Sequence, residues 1–174
     1  MLWLKTVGVA MVIAGCGGGG LMRAGRIDKR VEQIKIARQA MGYLEKEITY
    51  LQTPLPLALE HTAALTAPPL KIMFQESARL LLNRQGVSVT EAWAGALARL
   101  EQQADLHADD LQILNTAANQ LGASGIEQQK QCFLLLQEQL KIQEEKAREK
   151  AESERKLWSY GGFILGTTVV LFLL

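Results

Sequence analysis

Ligation, titration and nucleophilic attack need particular side chains at workable spacings, and this chain offers few of them. It has two histidines, His61 and His107, and two cysteines, Cys16 and Cys132, in 174 residues. A zinc site needs ligands that converge, as H-x-x-x-H or C-x-x-C pairs do, and neither histidine has Cys, Asp or Glu so placed. No G-x-x-x-x-G-K-[ST] loop is present, and the glycine run GCGGGG at 15–20 lies in an apolar segment with no strand before it. Such glycines suit close helix packing better than phosphate binding. Glu45, Glu47 and Glu60 stand where solvated helix faces ordinarily carry acids. No enzyme, cofactor, metal or small-molecule substrate is expected.

Cys16 keeps one chemistry open. Ile13, Ala14, Gly15 and Cys16 have the branched-small-small-cysteine order of a bacterial lipoprotein cleavage site. Lipid on Cys16 would remove the first fifteen residues and export the rest as an anchored helical binding protein. The rival reading is a retained membrane helix, since Thr6 to Met22 is free of charge and Leu2, Trp3 and Leu4 extend it past Lys5, which can snorkel. Leu157 to Leu174 is uncharged as well. Eighteen helical residues reach about 27 Å against a hydrocarbon core of roughly 30 Å. Trp158 and Tyr160 stand where an interfacial belt would.

Basic residues next to a span favour the cytoplasmic side. Arg23, Arg26, Lys29, Arg30, Lys35 and Arg38 follow the first segment against Asp28 and Glu32, and Lys146, Arg148, Lys150, Arg155 and Lys156 precede the second. The expected organisation is a membrane helix at 1–22, a cytoplasmic helical domain at 23–156 and a second membrane helix at 157–174. Gly15 and Gly19 in the first span, and Gly162 and Gly166 in the second, form G-x-x-x-G faces for helix packing. Residues 1–50 carry eight basic and four acidic side chains, and residues 51–126 carry four and seven. The mildly acidic middle argues against nucleic acid, and the basic start suits anionic lipid headgroups.

The middle must supply the elements. Ile27, Val31, Ile34, Ala37, Met41, Leu44, Ile48 and Leu51 recur at steps of three and four, the signature of a long amphipathic helix. TPLPLALE at 53–60 then interrupts it. Proline breaks a preceding helix and fits the first turn of a following one, so Thr53 is expected as an N-cap. Leu55, Leu57, Leu59, Ala63 and Leu65 make a second helix, and Leu70, Met73, Phe74, Leu80 and Leu81 a third, ended by Gly86. Ser88 with Glu91 is a capping box opening a fourth helix with Trp93, Leu97 and Leu100. Asp109 and Asp110 suit the first turn of a fifth, which carries Leu111, Leu114 and Leu121 and stops at Gly122. Ser124 and Glu127 repeat the box ahead of a sixth, which meets no Gly or Pro until Gly161. On that last helix Glu144 with Arg148, and Glu152 with Lys156, make i,i+4 pairs of a solvated stalk. No strand pattern occurs. The expected fold is all-α, an antiparallel bundle of about six helices flanked by an N-terminal and a C-terminal transmembrane helix.

The order of these parts resembles the stage III sporulation protein AB family over nearly the whole chain. The most specific string is Glu47, Ile48, Tyr50, Thr53, Pro54, Leu55, Pro56, Ala58 and Leu59, and a weaker one is Leu121, Gly122 and Ser124, with Gly125 where the family usually shows an acid. The resemblance implies a platform protein of the apparatus built between mother cell and forespore. It implies a location in the mother-cell membrane and a soluble domain similar to the F-type platform of type II secretion. It implies as partners membrane lipids, the AA-type secretion ATPase of the same operon and that operon's other membrane proteins. The corner residues Glu47, Tyr50, Thr53, Pro54, Leu55, Pro56, Leu59 and Glu60 are expected to shape the bundle and face the partner.

Overall fold

The computed structural model describes residues 26–83, 86–121 and 125–173, with side chains described as far as Leu157. Helix α1 covers 26–45 and runs directly into a π-helical turn, Lys46–Tyr50. Helices α2 (Leu55–Leu65), α3 (Leu70–Leu82), α4 (Val89–Glu101), α5 (Ala108–Leu121) and α6 (Ile126–Leu173) come after it. No strand occurs among the described residues. Among the described residues the fold is all-α with six helices, as the periodicity implies.

The chain divides into two compact units, Arg30–Glu145 and the residues that flank it on both sides. In the first, α2 packs on α3, α3 on α4 and α4 on α5. Arg38 on α1 meets Glu144 on α6 at 3.0 Å, while Glu45 on α1 accepts a hydrogen bond from Gln137. Ascending positions on α1 therefore meet descending positions on α6, and these two helices are antiparallel. In the flanking unit, Arg155 Nη2 donates to both carboxylate oxygens of Asp28 at 3.1 and 3.3 Å across an exposed surface.

The core collects the expected stripes. Ile34, Met41, Leu44, Leu59, Leu70, Met73, Phe74, Trp93, Leu100, Leu114 and Leu140 are fully buried. Burying a side chain of this size stabilises by about 1.5–3 kcal/mol. Trp93 packs edge-on against Phe74 with centroids 6.0 Å apart. Its indole N–H is also satisfied, donating to the Leu114 carbonyl at 2.9 Å, so α4 is tied to α5 by a polar bond inside an apolar layer. The Ser88–Glu91 capping box is present in both directions, just after Gly86 takes the positive φ of +71° that the turn into α4 needs.

Several expectations are corrected. Leu51 is 67% exposed, because the π turn inserts extra backbone after Glu45 and rotates the residues beyond it out of the α-helical stripe. Leu57 and Leu65 are exposed while Ala58, Leu59, Thr62 and Ala63 are buried, so α2 turns small residues inward against α3. Glu144 is not part of a solvated stalk but is buried against Arg38. Helix α3 ends at Leu82 with Asn83 as its C-cap, ahead of Gly86. Gly122, Ser124 and the segment 1–22, with Gly15, Cys16 and Gly19, lie outside the described residues. The packing around Gly162 and Gly166 is likewise not described, although the backbone of α6 is helical through Leu173. Among the described residues, no helix is long and apolar enough to cross a membrane.

Candidate partner-facing corner

The corner between α1 and α2 is built by the way α1 stops. In the π turn the Leu51 N–H bonds the Lys46 carbonyl at 3.1 Å, one residue wider than an α-helical bond. Gln52 then adopts φ +52°, the left-handed conformation common just after helices, and the Thr53 N–H returns to the Glu47 carbonyl at 2.9 Å. This is a Schellman-like stop widened by the π turn. Pro54 rather than Thr53 occupies the N-cap of α2, and its carbonyl accepts the first helical bond, from the Ala58 N–H at 2.9 Å. Pro56 sits in the first turn, where its missing N–H costs nothing.

Thr53 is drawn away from capping because Glu47 takes its hydroxyl. That hydrogen bond first of all holds the Glu47 carboxyl below the ordinary 4.5; burial pushes the other way, and His61 adds to the lowering. His61 Nδ1 lies 3.1 Å from Glu47 Oε2, linking the π turn to the second turn of α2. Next to this node Tyr50 is exposed, with Lys130 Nζ 6.0 Å from its ring centroid, within cation–π range.

The corner residues expected to act together therefore divide. Tyr50, Pro54 and Glu60 face solvent, joined by Leu51. Leu55 and Pro56 are half-buried and Leu59 belongs to the core. Glu47 is committed inward to Thr53 and His61, so of the two acids expected to meet a partner only Glu60 stands free at the surface. His61 and Lys130 were not among the expected corner residues. Their partners lie 14 positions away for His61 and on another helix for Lys130, and no short-range spacing signals either. Among the described residues, no group of three His, Cys, Asp or Glu side chains could hold a metal ion.

Comparison with known proteins gives this corner its context. The family model for stage III sporulation protein AB matches residues 5–174. The chain is similar to the stage III sporulation protein AB of Bacillus subtilis (strain 168), at 27% identity over 172 residues that cover 98% of this chain and 99% of that protein. It is also similar to a solved structure of a stage III sporulation protein AB, with a TM-score of 0.66 and 26% identity, covering 71% of this chain and 97% of the other. A match across almost every residue, joined to the same helical fold, places this chain in the stage III sporulation protein AB family, whose work is in sporulation.

Proposed function

We propose that this protein is a non-catalytic platform and assembly component of the secretion-like channel between mother cell and forespore. In this reading 1–22 and 157–174 are membrane helices in the mother-cell membrane facing the forespore. Gly15, Gly19, Gly162 and Gly166 pack the spans, and the bundle lies in the cytoplasm. There it docks the AA-type ATPase, with lipids and the operon's other membrane proteins as further partners. The observation that carries the reading is the corner: an exposed aromatic, an exposed leucine and a free carboxylate, Tyr50, Leu51 and Glu60, gathered where α1 stops and α2 begins. Exposed aromatic anchors beside a charge are what a docking site offers a partner.

The test is co-purification of the full chain with the ATPase from co-expressing cells. Tyr50→Ser with Leu51→Ser, both at the surface, is expected to abolish capture while leaving far-UV circular dichroism unchanged. Undiminished capture by that variant sinks the docking assignment. A reporter active only in the cytoplasm, placed between Asn83 and Ser88, is expected to give signal. Silence there, with lipid found on Cys16, would instead identify an exported lipoprotein.

A further inference from the structure

Two exposed surfaces of the Arg30–Glu145 unit are complementary in spacing and charge, and neither is used by the corner's clasp. The first is an open groove of about 530 Å³ between α2 and α3, lined by Glu60, Ala64, Lys71, Gln75, Arg79 and Leu82, with Asn83 at one end. Lys71 has no ion-pair partner among the described residues. Arg79 holds Glu76 with both Nε and Nη2, at 2.9 and 2.7 Å, but Glu76 is shared with Arg99 at 3.4 Å. Two cations on one acid leave that node positive. With Lys71 added and Glu60 set against it, the groove and its wall hold three cations and two acids.

The second surface is the outer face of α6. Phe133, Leu136 and Leu140 face the core, so the opposite face carries Leu135, Glu138, Ile142 and Glu145, all exposed. Leu135 is 67% exposed and Ile142 43%, an unusual placement for two aliphatic side chains one heptad apart on a solvated helix. Neither Glu138 nor Glu145 has an ion pair among the described residues. The two acids are seven positions apart, about 10.5 Å of helix, and Lys71 and Arg79 eight, about 12 Å. Leu135 lies three positions outside the acid pair, as Leu82 lies three positions beyond Arg79, and Ile142 sits between the acids. Both surfaces are open, so they do not meet within one chain.

We propose that the α6 face of a second copy of this chain seats in the α2–α3 groove. Its two carboxylates lie beside Lys71 and Arg79, Leu135 lies outside that pair against an apolar end of the groove, and Ile142, between the acids, lies over the middle of the groove near Gln75. The interface is heterologous, since each copy offers a groove to one neighbour and a helix face to another, and such contacts propagate into a ring or an open chain of copies. Glu60 borders both surfaces, but the contact rests on Lys71 and Arg79 and does not depend on ATPase docking, which is tested at Tyr50 and Leu51.

The experiment uses the full chain in detergent micelles with Cys16→Ser and Cys132→Ser, adding Gln75→Cys in the groove and Glu138→Cys on α6. Oxidation of chains carrying both cysteines is expected to give a reducible ladder of multimers. A one-to-one mixture of the two single-cysteine chains is expected to give dimer and nothing larger. Lys71→Glu, at a surface position that leaves the Glu76 pairs intact, is expected to weaken crosslinking about fivefold, and Glu145→Lys in the same chain to restore part of it. Circular dichroism matching the parent keeps a folding defect out of the comparison. A monomer band throughout overturns the proposal. So does dimer from Glu138→Cys alone as strong as from the mixture, because that is the mark of a two-fold contact.

Discussion

Asp110, in the first turn of α5, has a side chain 1% exposed and takes Arg30 Nε at 2.8 Å, Arg30 Nη2 at 3.0 Å and the His107 backbone N–H at 2.9 Å. Glu47, in the π turn, keeps 17% exposure and shares its carboxylate between Thr53 and a half-exposed His61. Each acid joins a helix end to another segment, but the surroundings differ. Around Asp110 water is gone, so the carboxylate rests on Arg30 and the His107 N–H, and the nearly buried guanidinium has Asp110 for its counter-charge. Around Glu47 water remains as a substitute partner, so the same kind of bond carries little free energy and leaves the corner able to adjust. Sealed acids lock the bundle, and wet acids shape its surface.

Removing the sealed acid is the hardest test of that contrast. Asp110→Ala leaves Arg30 buried without a counter-charge and the α5 N-terminus without its cap, and is expected to cost about 3–5 kcal/mol in urea unfolding. A loss below about 1 kcal/mol would mean that water reaches Arg30 and that the two sites are alike. Next in size is the backbone of the open corner. Gln52 holds φ +52° without being glycine, so Gln52→Gly is expected to raise stability by about 0.5–1 kcal/mol, read as a higher thermal midpoint. A lower midpoint would show that the Gln52 side chain does more than tolerate its conformation.

Smallest is Glu47→Gln. The Thr53 hydroxyl, then His61, lower the folded carboxyl below 4.5, so the ionised form is favoured by folding. That contribution is complete above about pH 4.5 and drains away as pH falls through the lower folded value. The variant should therefore trail the parent slightly at pH 7 and draw level in acid. A gap that persists unchanged to pH 2 would assign the loss to packing instead.

Much of the fold was legible because it is local. Apolar steps of three and four marked α1, α3 and α4, and the Ser88 box placed the start of α4 to the residue. What periodicity could not convey were competitions and long reaches. Thr53 has the chemistry of an N-cap, but a carboxylate six residues before it offers its hydroxyl a better acceptor. Leu51, Leu57 and Leu65 are as apolar as their buried neighbours, and only the π turn and the small-residue face of α2 turn them outward. Cys132 is half-buried on α6, its thiol pushed up by desolvation, and no motif around it announces that. Arg30 and Asp110 are 80 positions apart, beyond any spacing rule.

That separation also sets a schedule for synthesis. A ribosome adding about 5–20 residues per second delivers Asp110 about 4–16 s after Arg30 has been made. Over that interval the α1 guanidinium has only solvent. The neighbouring pairs α2 with α3 and α3 with α4, whose contacts are short in sequence, are free to assemble first. The arrival of Asp110 then starts α5 and clasps α1 in one event. Helix α1, made before the other described helices, is thus among the last of them to be secured, and Gln33, whose acceptor oxygen waits 72 residues for the Asp105 N–H, keeps the same clock.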